Sequence, residues 1–213
     1  MATKKSAAKA PEQKEISVSL NLNTIKVPIK GIAPLIMSAF DPKTVRQIEE
    51  SAPGKAKQGK KKVETPEEQY ESSIYYFVDG KNIGMPAVAF KAAMVRAAQV
   101  VYDMQMVKTR TLFRVIEDGY DAQGHGLVKI NGAHRMRQDM VRVGTVNKVA
   151  APRYRAEFPD WSTTLTIQYV DGQLSEEQIV AFVNAAGFTC GVGEWRPEKS
   201  NSGSFGLFQV AQN

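Results

Sequence analysis

The chain has 213 residues, 43% of them hydrophobic, enough to bury a core in one domain with an insertion or in a small domain pair. It carries 28 Lys and Arg against 22 Asp and Glu, a net charge of +6 and a pI near 9.3, which points to a polyanionic partner such as nucleic acid. No apolar run approaches the roughly 18 residues of a membrane span, Met1–Glu15 lacks the apolar stretch of a secretory signal, and Cys190, the single cysteine, excludes an internal disulfide and fits a reducing cytoplasm.

Met1–Glu15 reads as a disordered basic tail, with Lys4, Lys5, Lys9 and Lys14 among Ala and Ser. Ser17–Ile32 alternates as a strand does: Val18, Leu20 and Leu22, then Ile25, Val27 and Ile29. Pro28 assigns the second run to a sheet edge or a bulge. Asp41–Glu50 is a short predicted helix, with Asp41 as N-cap and Pro42 in the first position. Ser51–Glu68 sets five lysines among Pro53, Gly54, Gly59 and Pro66, so residues 49–69 read as a mobile basic insertion in a single domain spanning 16–213. Tyr70–Asp79 is predicted as a strand ending at an Asp79-Gly80 turn.

Gly84-Met85-Pro86 opens a helix over Ala87–Met106, whose Phe90, Met94, Ala97, Val101 and Met104 share one face. Thr111–Glu117 and Leu127–Ile130 read as strands around a Gly119–Gly126 turn. Asn131–Arg155 is arginine-rich, and a short strand at Val141–Val143 puts Arg142 on the opposite face. Trp161–Val170 is a strand with Trp161, Thr163, Leu165, Ile167 and Tyr169 on one face. Ser175 and Gln178 form a capping box, and Leu174 with Ile179 a hydrophobic staple, at the start of a helix that Gly187 ends. A loop with Gly191, Gly193, Gly203 and Gly206 follows, then a strand over Ser204–Val210 with Phe205, Leu207 and Val210 inward. Its glycines let such a loop lie flat against another backbone. The strong elements follow the β-α-β-β-α-β order of an α+β, ferredoxin-like (RRM-like) fold with extra short strands.

Two segments resemble the RAMP superfamily, the ferredoxin-like subunits that coat guide RNA in CRISPR effector complexes. Met85–Arg96, M-P-A-V-A-F-K-A-A-M-V-R, is similar to its P-x-S-S-L-K-G-x-x-R segment through Pro86, Lys91 and Arg96. The Ser204-Phe205-Gly206 stretch resembles the end of the superfamily's glycine-rich loop. Ala92 stands where that pattern has glycine, Ala87-Val88 where it has serines, and a G-E-W-R-P-E-K unit lengthens the loop, a form similar to small proteins of tailed bacteriophages. The matching residues cover about a quarter of the chain. It implies backbone recognition of single-stranded RNA or DNA, with Lys91 and Arg96 on phosphates, the glycine loop along the strand, and head-to-tail stacking into a homo-oligomer or filament.

The residues themselves favour binding over catalysis. Candidate nucleic-acid contacts are Lys91, Arg96, Lys108, Arg110, Arg135, Arg137, Arg142, Arg153, Arg155, Arg196 and Lys199, with Tyr154 and Trp195 as stacking platforms. His125 and His134, the only histidines, are the candidate acid and base of an endoribonuclease. Asp118 and Asp121 read as turn caps, and Glu194 as the salt-bridge partner of Arg196 or Lys199. No Walker or dinucleotide motif is present, and no metal or cofactor is expected. The leading expectation is a non-enzymatic protein binding single-stranded nucleic acid. The alternatives are a phage structural or assembly protein whose basic surface meets an acidic protein, and a metal-independent endoribonuclease.

Overall fold

A computed structural model describes residues 20–39, 64–143 and 149–211. The basic tail, the helix expected at 41–50 and residues 49–63 of the basic insertion lie outside the described residues. The described elements are β1 (Leu22–Gly31), β2 (Leu35–Ile36), α1 (Pro66–Ser72), β3 (Gly84–Pro86), α2 (Ala87–Tyr102), α3 (Met106–Leu112), β4 (Phe113–Ile116), β5 (Gly119–Tyr120), β6 (Gly126–Lys129), β7 (Arg135–Val143), β8 (Val149–Phe158), β9 (Ser162–Val170), α4 (Glu176–Thr189) and β10 (Phe208–Val210).

Four strands form an antiparallel sheet in the order β10-β1-β9-β4. With α2 between β1 and β4, and α4 between β9 and β10, this is the ferredoxin-like β-α-β-β-α-β arrangement. Two three-stranded sheets, β2-β8-β7 and β3-β6-β5, are built from the segments inserted between these core elements. None of the described helices is long and apolar enough to cross a membrane.

Alternation explains the core. Val27 and Ile29 of β1, Val115 of β4 and Leu165, Ile167 and Tyr169 of β9 turn inward against α2 and α4. Phe90 of α2, Phe208 of β10 and Trp161 form an edge-to-face series with centroids 5.9 and 6.0 Å apart. The Trp161 indole N–H donates to the Ala33 carbonyl at 2.9 Å. Ser175 caps α4 with the expected box, and Leu174 and Ile179 are both buried.

Several boundaries depart from the sequence reading. Residues 66–69 belong to helix α1, not to a loop: Thr65 caps the Glu68 N–H, Glu68 caps Thr65 in return, and Pro66 occupies the first turn, where no intrahelical donor is needed. Residues 70–72 continue that helix, so the strand expected at 70–79 reduces to a Tyr76–Ile83 bridge around the Asp79-Gly80 turn. Gly84–Pro86 is a strand. The long helix stops at Tyr102, where Asp103 takes a left-handed φ of 53°, leaving Val101 exposed instead of buried. Residues 111–112 belong to α3. The arginine-rich segment is a long hairpin, β7–β8, and the last strand begins at Phe208.

Pro28 lies in an internal strand without a bulge. β10 covers β1 only from Ile29 to Gly31, and the Ala211 N–H donates to the Pro28 carbonyl at 2.9 Å. The Pro28 nitrogen points the same way, toward Ala211, so its missing donor costs one bond at the very end of the β1–β10 ladder, where β10 runs out.

Gly187 does not end α4, which continues to Thr189. Its role is proximity: a Cβ there would stand 1.9 Å from the Phe208 carbonyl oxygen. Gly187→Ala should therefore lower stability by about 1–3 kcal/mol through overpacking. An alanine replacing a helical glycine without this constraint would add about 1 kcal/mol. Urea unfolding of the variant reads the sign.

Candidate nucleic-acid interface

Two runs on the hairpin share one rhythm: Arg135-Met136-Arg137-Gln138-Asp139 on β7 and Arg153-Tyr154-Arg155-Ala156-Glu157 on β8. Side chains alternate along a strand, so the two arginines and the acid of each run share a face. The register pairs Arg135 with Glu157, Arg137 with Arg155, and Asp139 with Arg153. The outer pairs oppose unlike charges. The middle pair sets two guanidiniums across from each other, which is unfavourable unless other groups intervene.

Glu157 intervenes first. Its side chain is 5% exposed and accepts from Arg135 Nε at 2.7 Å and Arg137 Nη1 at 2.8 Å. Asp139, 7% exposed, accepts from Arg137 Nε at 2.9 Å. Burial pushes the Glu157 carboxyl up, but the hydrogen bonds and charges of Arg135 and Arg137 outweigh it and hold its pKa below the usual value. Burial likewise opposes the Arg137 charge, and Glu157 and Asp139 more than restore it.

The glycine loop supplies the second set of groups. The Arg137 guanidinium carbon stands 4.8 Å from the Phe205 ring centroid and 5.6 Å from that of Trp195, and the Arg155 carbon stands 5.4 Å from Trp195. Trp195 and Phe205 pack together at 5.9 Å. Trp195, half-buried, thus anchors the loop, with its ring engaged by the hairpin. The loop is fixed by the Glu194 N–H on the Ile36 carbonyl at 2.9 Å and the Gly206 N–H on the Pro34 carbonyl at 2.8 Å. Gly193, at φ +80°, would place a Cβ 2.5 Å from the Ile36 carbonyl oxygen, and Gly206, at φ +65°, 1.7 Å from that of Val192. The backbone these glycines approach is the chain's own.

Arg155 differs from Arg137. It has no carboxylate partner, and its Nη1 is buried without a hydrogen-bond acceptor among the described residues. Arg153, two residues along the same face, is exposed and also forms no ion pair among them.

The other expected contacts scatter around this centre. Arg196 donates to Glu198 Oε2 at 3.1 Å and to the Gly193 carbonyl at 2.9 Å, so its carboxylate partner is Glu198, not Glu194. Arg96, exposed on α2, donates to Gln99 Oε1 at 2.6 Å. Burial raises the Cys190 thiol pKa, and the charges of Arg96 and Arg196 both reach the sulfur and oppose that rise. Lys91 is half-buried on α2, Lys199 is exposed in the loop, and Arg142 is exposed on the hairpin face away from Arg153 and Arg155. Lys108 and Arg110 lie on α3. The structure therefore gathers Arg135, Arg137, Arg153, Arg155 and Trp195. Sequence reasoning missed Glu157, Asp139 and Phe205. The first two were signalled by the repeated Arg-x-Arg-x-acid rhythm.

The two histidines sit in different settings. His125 Nδ1 lies 2.8 Å from Asp121 Oδ2, and the other oxygen of that carboxylate accepts the Gln123 and His125 N–H groups. Burial raises the Asp121 pKa, but these bonds outweigh it and bring it below the usual value. Asp118 accepts the Lys129 N–H at 2.8 Å, so both aspartates cap turns as expected. His134 Nδ1 is bonded to the Tyr70 hydroxyl, and its ring packs 5.1 Å from Phe158. Among the described residues, no three His, Cys, Asp or Glu side chains are grouped to hold a metal ion.

Glu157→Gln should destabilise the fold by about 3 kcal/mol at pH 7, the low end of the cost of breaking a buried pair because Arg135 is largely exposed. A carboxyl with a lowered folded pKa stabilises above its unfolded value of about 4.3 and loses that contribution as pH falls through the folded pKa. The gap between wild type and variant should therefore shrink in acid, as denaturant melts from pH 7 to 3 would show.

No family model matches the chain, and no curated protein matches it. Among solved structures it is similar to Cmr6 from Pyrococcus furiosus, at TM-score 0.42 and 11% identity, over 91% of this chain and 100% of that one. It is also similar to a chain of the Type III-B Cmr-beta complex bound to cognate target RNA, at TM-score 0.46 and 10% identity, over 90% of this chain but 59% of that one.

Proposed function

We propose that the chain binds the phosphate backbone of single-stranded nucleic acid without catalysing a reaction on it, and that copies of it assemble along the bound strand. The observation that carries this reading is the Arg137–Arg155 pair. Carboxylates neutralise Arg137, whereas Arg155 keeps a buried nitrogen without an acceptor beside the exposed Arg153. No carboxylate balances the charge of Arg155 or Arg153 among the described residues, and a phosphate at the exposed Arg153 supplies the missing negative charge to both. Recognition of this kind is indifferent to base identity.

Assembly is supported by a separate surface. Val100, Val101, Tyr102, Met106 and Val107 are 60, 47, 46, 40 and 64% exposed where α2 gives way to α3. Such a concentration of exposed apolar side chains suits a contact between copies.

Arg153→Ala with Arg155→Ala should weaken binding to every single-stranded sequence alike, by about 10- to 100-fold at moderate salt. The salt slope should flatten by roughly 1.4, as two phosphate contacts at about 0.7 each require. Fluorescence anisotropy over a salt series, with RNA and DNA strands, measures both. Unchanged affinity would remove the interface from this face, and a wild-type protein that binds neither strand would leave the basic surface to an acidic protein partner. In light scattering, Val100→Glu with Val107→Glu should hold the protein monomeric on a long strand.

A further inference from the structure

The four-stranded sheet has two faces, and α2 and α4 pack against one of them. On the other, the outward positions carry Lys26 and Lys30 of β1 and Arg114 of β4, all exposed, among hydroxyl and amide side chains such as Thr164, Thr166 and Gln168. Lys26 lies across from Thr166, Lys30 from Ser162, and Arg114 from Gln168, whose side-chain oxygen accepts from Arg114 Nε at 2.9 Å. None of these strands places an acidic side chain on this face. The carboxylates stand at its rims: Glu117 after β4, Asp171 after β9, and Asp160 before β9. Lys26 and Lys30 are roughly 13 Å apart along the strand, and Arg114 lies two strands, or roughly 10 Å, to the side. A shallow groove of about 440 Å³ opens where the strands end, lined by Pro28, Lys30, Asn131, Asp160, Ser162 and Thr164.

We propose that this open face is a second binding surface for single-stranded nucleic acid, with Lys26, Lys30 and Arg114 contacting phosphates and the hydroxyl and amide groups contacting sugars. The proposal rests on the function proposed above and extends it from the hairpin to the sheet. Charge complementarity selects the occupant. Three cations spread over a flat surface without acids between them match a chain of regularly spaced negative charges. A compact anion would reach one of them at a time. The chemistry also limits what this face can read. No aromatic ring lies on it, because Tyr169 and Trp161 are buried, so it offers no stacking platform and tracks the backbone without base preference.

The test separates the two surfaces by strand length. Labelled strands of about 6 and about 24 nucleotides, in RNA and DNA form, bracket the span one surface and two surfaces would occupy. Lys26→Gln with Lys30→Gln should leave affinity for the short strand within twofold of wild type. Affinity for the long strand should fall about tenfold, with the salt slope flatter by roughly 1.4. Both side chains are exposed, and an unchanged thermal melt confirms an intact fold. Crosslinking of a photoreactive long strand should label peptides spanning residues 22–31 in wild type and lose that label in the variant. Wild-type affinity and slope on the long strand would overturn the sheet surface alone. Equal losses on both lengths would also overturn it as a second surface, by making it part of the first. A wild-type protein that binds neither length would overturn the function and this surface together.

Discussion

Glu157 is one carboxylate, nearly excluded from water, facing two guanidiniums. A buried ion survives only if its partners replace the water it has lost, and here they do so from the adjacent strand of the same hairpin. That exchange decides what else can happen on this face. With Arg137 neutralised, an aromatic loop can settle on its guanidinium without trapping an unpaired charge. With the loop in place, Gly193 and Gly206 press against the chain's own backbone and tie the C-terminal loop to the segment following β1. Removing Glu157 would leave Arg137 and Arg155 facing each other beneath two rings, with Asp139 alone to separate them.

The same arithmetic divides the arginines by task. Arg135, Arg137 and Arg196 spend their charge on internal carboxylates and hold the hairpin and loop in shape. Arg153 and Arg155 keep theirs. An arginine-rich segment therefore holds both paired and unpaired guanidiniums, and net charge alone could not distinguish them. A substitution at Arg137 should register in stability before it registers in binding, whereas one at Arg153 should do the reverse.

The core order was legible because its elements bury apolar residues at the periods a sequence displays. β9 alternates from Trp161 to Tyr169, and α2 repeats from Phe90 to Ala97. The hairpin was legible only in its charges. The face toward the glycine loop carries Arg, Glu and Asp where an ordinary strand would show Val or Ile, so apolar alternation marks just Val141 and Val143. Glycine and proline misled in opposite ways. Gly187 resembles a helix stop but is a spacer under Phe208, and Pro66 resembles a loop breaker but occupies the first turn of a capped helix. Of the candidate site, the residue types were readable. Which arginines carry internal partners was not, because that depends on a cross-strand register fixed by packing at a distance.

The pairing of β1 with β10 joins residues about 180 positions apart, and with the packing of β10 on α4 it brings Phe208 into the core. Contacts of such sequence separation are entropically slow to form, and they come after the local hairpins and helices. Until β10 arrives, Phe90 and Trp161 lack their aromatic neighbour and one edge of β1 stands open at Ile29–Gly31. An incomplete sheet lacking β10 would display both an unpaired edge and an uncovered apolar surface. Open strand edges and bare apolar surface are the features that invite aggregation, so closing of the sheet by β10 removes both at once.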